Sequence, residues 1–240
     1  MRQGRILRFL AVAVLGILLA AGQAIAKPFE VVDISGLGNV RITPTLVDFA
    51  PLGLGTGSVV VTGTSGADFN TIPGGTPGTI TDVPTLPVPP FFIGPVSPFL
   101  QVPTPGARFV WDLQTVIGSA AAPCVGGEAV GASCAAGALT LTQNASSVTA
   151  GLEVRGQVTD LVDHVVLSYN GLFTANLTAP DQNSIAEILG KFFTGGFVES
   201  SWSAELTSQI PEPGSMILMG LGLGVMGIGR TITRRKRDRD

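Results

Sequence analysis

Residues 148–158 read VTAGLEVRGQV, and residues 167–177 read LSYNGLFTANL. Both stretches alternate apolar with polar side chains. The apolar positions of the first stretch are Val148, Ala150, Leu152, Val154 and Val158. A period of two residues is the pattern of a β-strand that buries one face. These stretches therefore predict two strands whose apolar faces lie in the core.

The same alternation recurs on both sides of this pair, between turn-forming residues. Strands are predicted around Phe109, Trp111 and Leu113, and at 29–34, 39–43, 46–49, 57–62, 78–82, 138–142 and 198–206. One helix is predicted after Ser184, because Ser184 and Glu187 have the spacing of a capping box. Short strands separated by turns are typical of antiparallel sandwiches. We therefore expect an all-β, jelly-roll-like antiparallel β-sandwich with one short helix over residues 27–208.

Residues 73–105 interrupt this pattern, since they hold ten of the 17 prolines. Proline cannot donate a ladder hydrogen bond, so it is confined to strand ends, edges and bulges. We expect a long surface loop or an edge segment here, packed by Phe91, Phe92 and Phe99. A ligand-binding groove in this stretch is the alternative.

Charge is distributed unevenly along the 240 residues. Residues 27–208 contain five basic and 14 acidic side chains, whereas the two ends are basic. Nucleic-acid binding needs clustered Lys and Arg against phosphate, so no nucleic-acid partner is expected. The mean hydropathy of +0.45 is raised by two apolar segments near the ends of the chain.

The first segment has the layout of a signal peptide. Arg2, Arg5 and Arg8 precede an apolar run at 9–20, and Ala24 and Ala26 follow at the −3 and −1 positions. The run is shorter than the roughly 20 residues that span a bilayer. We expect residues 1–26 to direct export through the Sec translocon and to be cleaved after Ala26; an uncleaved anchor is the alternative.

Residues 209–240 form a tail in three parts. Pro211, Glu212 and Pro213 form a rigid, extended tripeptide. An uncharged apolar segment follows at 215–229, and its five glycines make it a weak transmembrane helix. The tail ends in a basic stretch, 230–240, whose cluster is Arg230, Arg234, Arg235, Lys236 and Arg237. Such a cluster holds the end of the chain on the cytoplasmic side.

From Pro211 to Arg237 the tail resembles a PEP-CTERM sorting domain, the bacterial signal that exosortase handles. The resemblance implies recognition near the tripeptide, transient anchoring in the inner membrane, removal of the tail, and delivery to the cell surface or extracellular matrix. It also implies a Gram-negative host that makes exopolysaccharide, the material of biofilms. An ordinary single-pass anchor is the alternative.

Residues 27–208 also resemble a loose group of secreted PEP-CTERM proteins without an assigned activity. The stretches that carry this resemblance are Phe109–Leu113, Cys124–Cys134, Thr140–Gln143, Gly156–Asp160 and Phe173–Ala175. This resemblance brings no chemistry with it.

Cys124 and Cys134 are the only cysteines. An even cysteine count in an exported chain predicts a disulfide, and two unpaired thiols are the alternative. A metal site would need more ligands, and the single histidine, His164, is distant in sequence. No metal and no cofactor are expected.

Catalytic residues are not evident in the sequence. His164 is the only imidazole, and no nucleophile motif of the GxSxG type accompanies it. Asp160 and Asp163 are interpreted as turn residues, with a calcium loop as the alternative. We therefore expect a protein without enzymatic activity.

Three functions remain open at this point. The first is a structural or adhesive surface protein associated with extracellular polysaccharide. The second is a carbohydrate-binding module that uses Trp111, Tyr169 or Trp202, although their positions on apolar strand faces favour core packing. The third is a secreted hydrolase that uses His164.

Overall fold

The alternating stretches form strands in the computed structural model, which describes residues 30–51, 55–66, 69–85, 92, 94–103 and 109–209. The described strands are β1 (Glu30–Gly36), β2 (Val40–Thr43), β3 (Leu46–Asp48), β4 (Thr56–Ser65), β5 (Pro77–Thr81), β6 (Val83–Pro84), β7 (Val96–Val102), β8 (Phe109–Ile117), β9 (Ser133–Ala136), β10 (Leu139–Gln143), β11 (Val148–Asp160), β12 (Val165–Leu177), β13 (Val198–Ser200) and β14 (Trp202–Gln209). One α-helix, α1, covers Ile185–Phe193, and a 3-10 turn covers Phe69–Thr71. Over the described residues, the predicted all-β class with one helix is confirmed.

The main sheet closes on itself. Its strands follow the order β12-β14-β1-β4-β5-β7-β8-β11, and β11 pairs with β12 to complete an eight-stranded antiparallel barrel. The jelly-roll-like sandwich that the sequence predicted is not confirmed. Closure depends on the two 13-residue strands. One edge of β11 pairs with β12 along its whole length, and its other edge pairs first with β10 and then with β8.

A second sheet of four short strands, β13-β2-β3-β6, lies against this barrel. A small cavity of about 20 Å³ lies between its apolar face and strands β10, β11, β12 and β14, and both sheets contribute lining residues. Phe49, which follows β3, packs its ring 4.7 Å from Trp202 and 5.7 Å from Phe173, measured between centroids. Aromatic burial therefore joins the two sheets, because such pairs add contact energy beyond their buried area.

The proline-rich stretch contributes three strands. Strand β5 corresponds to the strand predicted at 78–82, and β6 is an edge strand of the second sheet. The interpretation as one long loop or edge segment is wrong for β7, which lies inside the main sheet. Strand β7 pairs with β5 on one side and β8 on the other. Pro98 lies inside β7, where the ladder with β8 shifts register between Val96 and Leu100. A missing N–H is tolerated at such an irregularity. Phe99 is 1% exposed, as the core role predicted for it requires.

Helix α1 begins as its sequence predicted. Ser184 Oγ accepts a hydrogen bond from Glu187 N–H, and Ser184 N–H donates to Glu187 Oε2 (3.0 Å). Gln143, at the end of β10, adds a contact that sequence did not suggest. Its Oε1 accepts from Ile185 N–H (3.0 Å), and its Nε2 donates to Asn183 O (3.1 Å). One side chain thus fixes the start of the helix against the sheet.

The predicted signal peptide, the tripeptide, the apolar segment and the basic cluster lie outside the described residues. Among the residues that are described, no helix has the length and apolar character needed to cross a membrane.

Candidate functional site

Cys124 lies in the loop between β8 and β9, Cys134 lies in β9, and the two are joined. Cys124 Sγ and Cys134 Sγ form the predicted disulfide, 1.95 Å apart. The Glu128 carboxylate lies close to both sulfurs, but these sulfurs are bonded to each other and so do not act as thiolate ligands. Glu128 instead accepts hydrogen bonds from the N–H groups of Val125 (2.6 Å) and Gly126 (3.0 Å). Desolvation raises the pKa of Glu128, but these bonds outweigh it and leave the pKa below its usual range.

The three aromatic side chains considered for glycan binding lie in the core. Trp111, Tyr169 and Trp202 are 0%, 1% and 6% exposed. Burial raises the pKa of the Tyr169 hydroxyl, with a smaller contribution from the charge of Asp112. A buried ring has no face to offer a sugar, so the interpretation of these residues as core is confirmed.

His164 lies at the tip of the hairpin between β11 and β12, where it is exposed and has a φ of 55°. Asp160 shapes this turn, because its Oδ1 accepts hydrogen bonds from the N–H groups of Val162 (2.8 Å) and Asp163 (3.2 Å). This is the side-chain-to-backbone turn that Asp commonly forms. The Asp160 carboxylate therefore has a structural role at this position.

An open groove of about 400 Å³ lies at the end of the barrel opposite the hairpin between β11 and β12. Its walls come from the turn after β1, from β2 and β13 of the second sheet, and from the start of β4. The lining side chains that could form hydrogen bonds are Asn39, Arg41, Thr56, Ser58 and Glu199. A volume of this size is within the range of small-molecule and oligosaccharide sites, roughly 300–1,000 Å³.

Arg41 and Glu199 form the polar centre of this groove. They are register partners in β2 and β13, and Arg41 Nε donates to Glu199 Oε1 at 2.8 Å. Arg41 Nη2 lies 2.8 Å from the same oxygen. The guanidinium also stacks over Phe197, with Cζ 4.1 Å from the ring centroid. These contacts hold the Arg41 fork in one orientation at the groove.

Two carboxylates hold the groove wall at residues 49–51. Phe49 N–H donates to Asp82 Oδ1, and Ala50 N–H donates to Asp48 Oδ1, both at 2.8 Å. Burial raises the pKa of Asp82, with a smaller contribution from the Asp48 charge, and the bond from Phe49 only partly offsets this. Gly57 allows β4 to pass beneath this wall, because a Cβ there would overlap the carbonyl oxygen of Phe49.

Sequence reasoning missed this groove. Arg41 is one of five basic residues between positions 27 and 208, which was the available signal. Its partner Glu199 is 158 positions away, so no local spacing connects the two.

A second pair of charged residues lies on the outer face of the barrel. Asp33 of β1 and Glu205 of β14 are direct register partners. Burial raises the pKa of Asp33, and the negative charge of Glu205 raises it further. Like charges directly opposite each other destabilise a sheet. Ionisation of Asp33 therefore costs stability as the pH rises from about 4 through its folded-state pKa.

Replacing Glu205 with glutamine is expected to stabilise the protein by about 0.5 kcal/mol at pH 7. The gain should vanish at acidic pH, where both carboxyl groups are protonated. Thermal unfolding of the released protein over this pH range would measure it. The matched control is Glu153→Gln, because Glu153 faces Leu172 and Ile117 in its ladders. A gain of equal size in both variants would contradict the explanation.

Comparison with known proteins identifies the tail. Residues 209–236 match the family model of the PEP-CTERM protein-sorting motif. The sorting motif predicted from Pro211 to Arg237 is thereby confirmed, and it indicates an exported protein that exosortase sorts. No curated protein and no solved structure matches the chain.

Proposed function

We propose that this exported protein is a structural or adhesive component of the cell surface or matrix, which associates with exopolysaccharide through the groove around Arg41 and Glu199. The observation that carries the proposal is this groove, which is lined by the ion pair of Arg41 and Glu199 on a domain with a sorting tail. We further propose that it acts by binding, without catalysis. Exosortase is its transient processing partner, and the inner membrane holds it before release.

The topology supports this role by the position of the groove. Strand β1 starts at Glu30, which pairs with Ser208 near the end of β14, so both termini leave the barrel at one end. This end is called the exit end below. The turn at Leu37, after β1, and the start of β4 lie at the other end, where the groove is. The groove therefore lies at the end of the barrel opposite the exit end.

The chemistry of the groove suits a hydroxyl-rich ligand. Arg41 and Glu199 neutralise each other, so the groove offers hydrogen-bond donors and acceptors with little net charge. Hydroxyl groups donate and accept at once, and they can bridge Nη1 of Arg41 and Oε2 of Glu199. The domain as a whole is acidic, which disfavours strongly anionic polymers. We therefore propose an uncharged polysaccharide as the ligand.

Arg41→Ala is expected to weaken binding of the host's purified exopolysaccharide by about tenfold or more, because a charge-assisted hydrogen bond contributes roughly 1.5–3 kcal/mol. Isothermal titration or co-sedimentation with the released protein would measure the change. Arg155→Ala is the matched control, since Arg155 is exposed on β11 outside the groove. Equal binding by the two variants and the parent would contradict the proposal.

A carbohydrate-binding module is the second candidate, and the same groove favours it. The two candidates differ in the ligand they need. A module of this class would bind a short oligosaccharide with one site per chain, whereas an adhesive component would need the polymer. Titration with fragments of decreasing length would separate them, with Arg41→Ala as the test of the site in both cases.

A further inference from the structure

The hairpin between β11 and β12 ends in a cluster of exposed aliphatic side chains. Leu161, Val162, Val165 and Val166 are 44%, 56%, 39% and 53% exposed. They account for four of the ten large apolar side chains exposed among the described residues. Scattered exposed apolar residues are normal, whereas a contiguous group marks an interaction site. Residues 161–166 are called the hairpin tip below.

The hairpin tip extends past the end of β14, the strand that pairs with β12 on the side away from β11. Val165 and Val166 follow each other in β12, and consecutive strand residues point to opposite faces of a sheet. Both are exposed, whereas Asp160, the partner of Val165 in β11, pairs with Phe109 of β8 on its other side and is 6% exposed. Strand β14 ends at Gln209, which pairs with Ser168. At about 3.3 Å per residue, Val165 lies roughly 10 Å past that pair.

The chain leaves the barrel in the direction of this tip. Strands β14 and β12 are antiparallel, so β14 runs towards the start of β12 as it approaches Gln209. The apolar segment begins at Ser215, six positions later in the sequence. A fully extended chain of that length reaches no further than about 20 Å. A bilayer that holds the apolar segment therefore lies close to the exit end, where the tip projects.

We propose that the hairpin tip inserts into the outer leaflet of the inner membrane while the sorting tail anchors the protein. This inference rests on the membrane-anchored stage of the proposed function. Lipid is the occupant, rather than a second copy, because the chain itself attaches this end of the barrel to a bilayer. The tip sequence, LVDHVV, contains no Lys or Arg. Insertion is therefore driven by apolar burial and does not require anionic lipids.

Insertion would orient the barrel on the membrane. Two attachments, the tail and the tip, hold the exit end against the lipid and turn the groove outward. They also keep Pro211, Glu212 and Pro213 at the membrane surface, where a membrane-embedded protease acts. Removal of the tail leaves only the tip in the lipid, and a few aliphatic side chains give reversible membrane binding.

The test uses the full chain in vesicles of phosphatidylethanolamine and phosphatidylglycerol. One variant carries Val162→Cys and a second carries Leu37→Cys, each labelled with the environment-sensitive dye NBD. Leu37 is the matched control, because it is 63% exposed at the opposite end of the barrel. We expect a blue shift, a several-fold rise in emission and quenching by nitroxide lipids at position 162, with none at position 37. Adding Val165→Asn and Val166→Asn to the first variant should reduce the shift.

Three outcomes would overturn the inference. Flotation of the chain with vesicles while the label at 162 stays in water would refute insertion and leave the anchor intact. A failure of the chain to float would refute the anchor, and the inference with it. A blue shift without vesicles that grows with protein concentration would identify a second copy of the chain as the occupant. The same insertion in pure phosphatidylcholine vesicles would support the apolar mechanism.

Discussion

Replacing Pro211, Glu212 and Pro213 with alanine is expected to leave most of the exported protein attached to the inner membrane, with near-complete loss of the released form. Proline fixes its own φ and disfavours helix at the preceding residue. We therefore expect the tripeptide to be read as an extended substrate next to an apolar segment. Three alanines have high helix propensity and would extend that segment as a helix, which removes the extended backbone a protease needs.

Fractionation of cells into membrane, surface and medium, with a tag after Lys27, would measure this effect. The matched control is Gly214→Ala, which changes the neighbouring position and keeps the tripeptide. Release of the triple-alanine variant at the parent's level would contradict the sorting role. Loss of the protein from every fraction would instead point to degradation, which pulse labelling distinguishes from retention.

Replacing Gly156 with alanine is expected to destabilise the barrel by about 3 kcal/mol or more, because overpacking inside a rigid core is costly. Gly156 lies in β11, where the ladder with β8 shifts register next to Arg155. A Cβ there would overlap the carbonyl oxygen of Asp112 and lie 2.7 Å from Cε1 of Tyr169. The first contact is with backbone, so relief requires β8 to move away from β11. The second contact is with the ring of Tyr169, which is 1% exposed.

The same strand offers the control. Gly151→Ala places a Cβ 3.8 Å from its nearest neighbours, Leu172 Cδ1 and Thr140 O, which is ordinary contact. Alanine lowers the entropy of the unfolded chain, so this variant should be unchanged or more stable by about 0.5 kcal/mol. Urea unfolding of the released protein, followed by circular dichroism, would compare the two. Equal changes in the free energy of unfolding at positions 151 and 156 would mean that the close contacts of Gly156 do not cause the destabilisation.

Local patterns predicted most of the strands. The alternation at 148–158 and 167–177 corresponds to β11 and β12, and the capping box at Ser184 corresponds to the start of α1. These predictions succeed because each depends on residues within one strand or one helical turn. Strand β7 was not predicted, because prolines interrupt its alternation of apolar and polar side chains. Its ladder with β8 also contains a register shift between Val96 and Leu100, which no local pattern indicates. Strand β9 was missed because it is short and follows a glycine-rich disulfide loop.

The groove could not be predicted from local patterns. Arg41 and Glu199 are far apart in sequence, and each reads as an ordinary polar position on the exposed face of a strand. Their pairing follows from β13 lying beside β2 in the second sheet. The burial of Trp111 and Trp202, in contrast, could be predicted from the sequence, because both occupy apolar strand positions.

The sequence by itself determined that this protein is exported and sorted, because a sorting signal is a linear string read by other molecules. The tripeptide, the apolar segment and the basic cluster need no fold to be recognised, and the same holds for a two-cysteine loop and a helix cap. Only the tertiary structure decided that the sheet closes into a barrel, that a groove lies opposite the exit end, and that the tip of an apolar hairpin lies at the exit end. The physical reason is that alternation records which side chains are buried, whereas closure and placement depend on the register between strands that lie far apart in the chain.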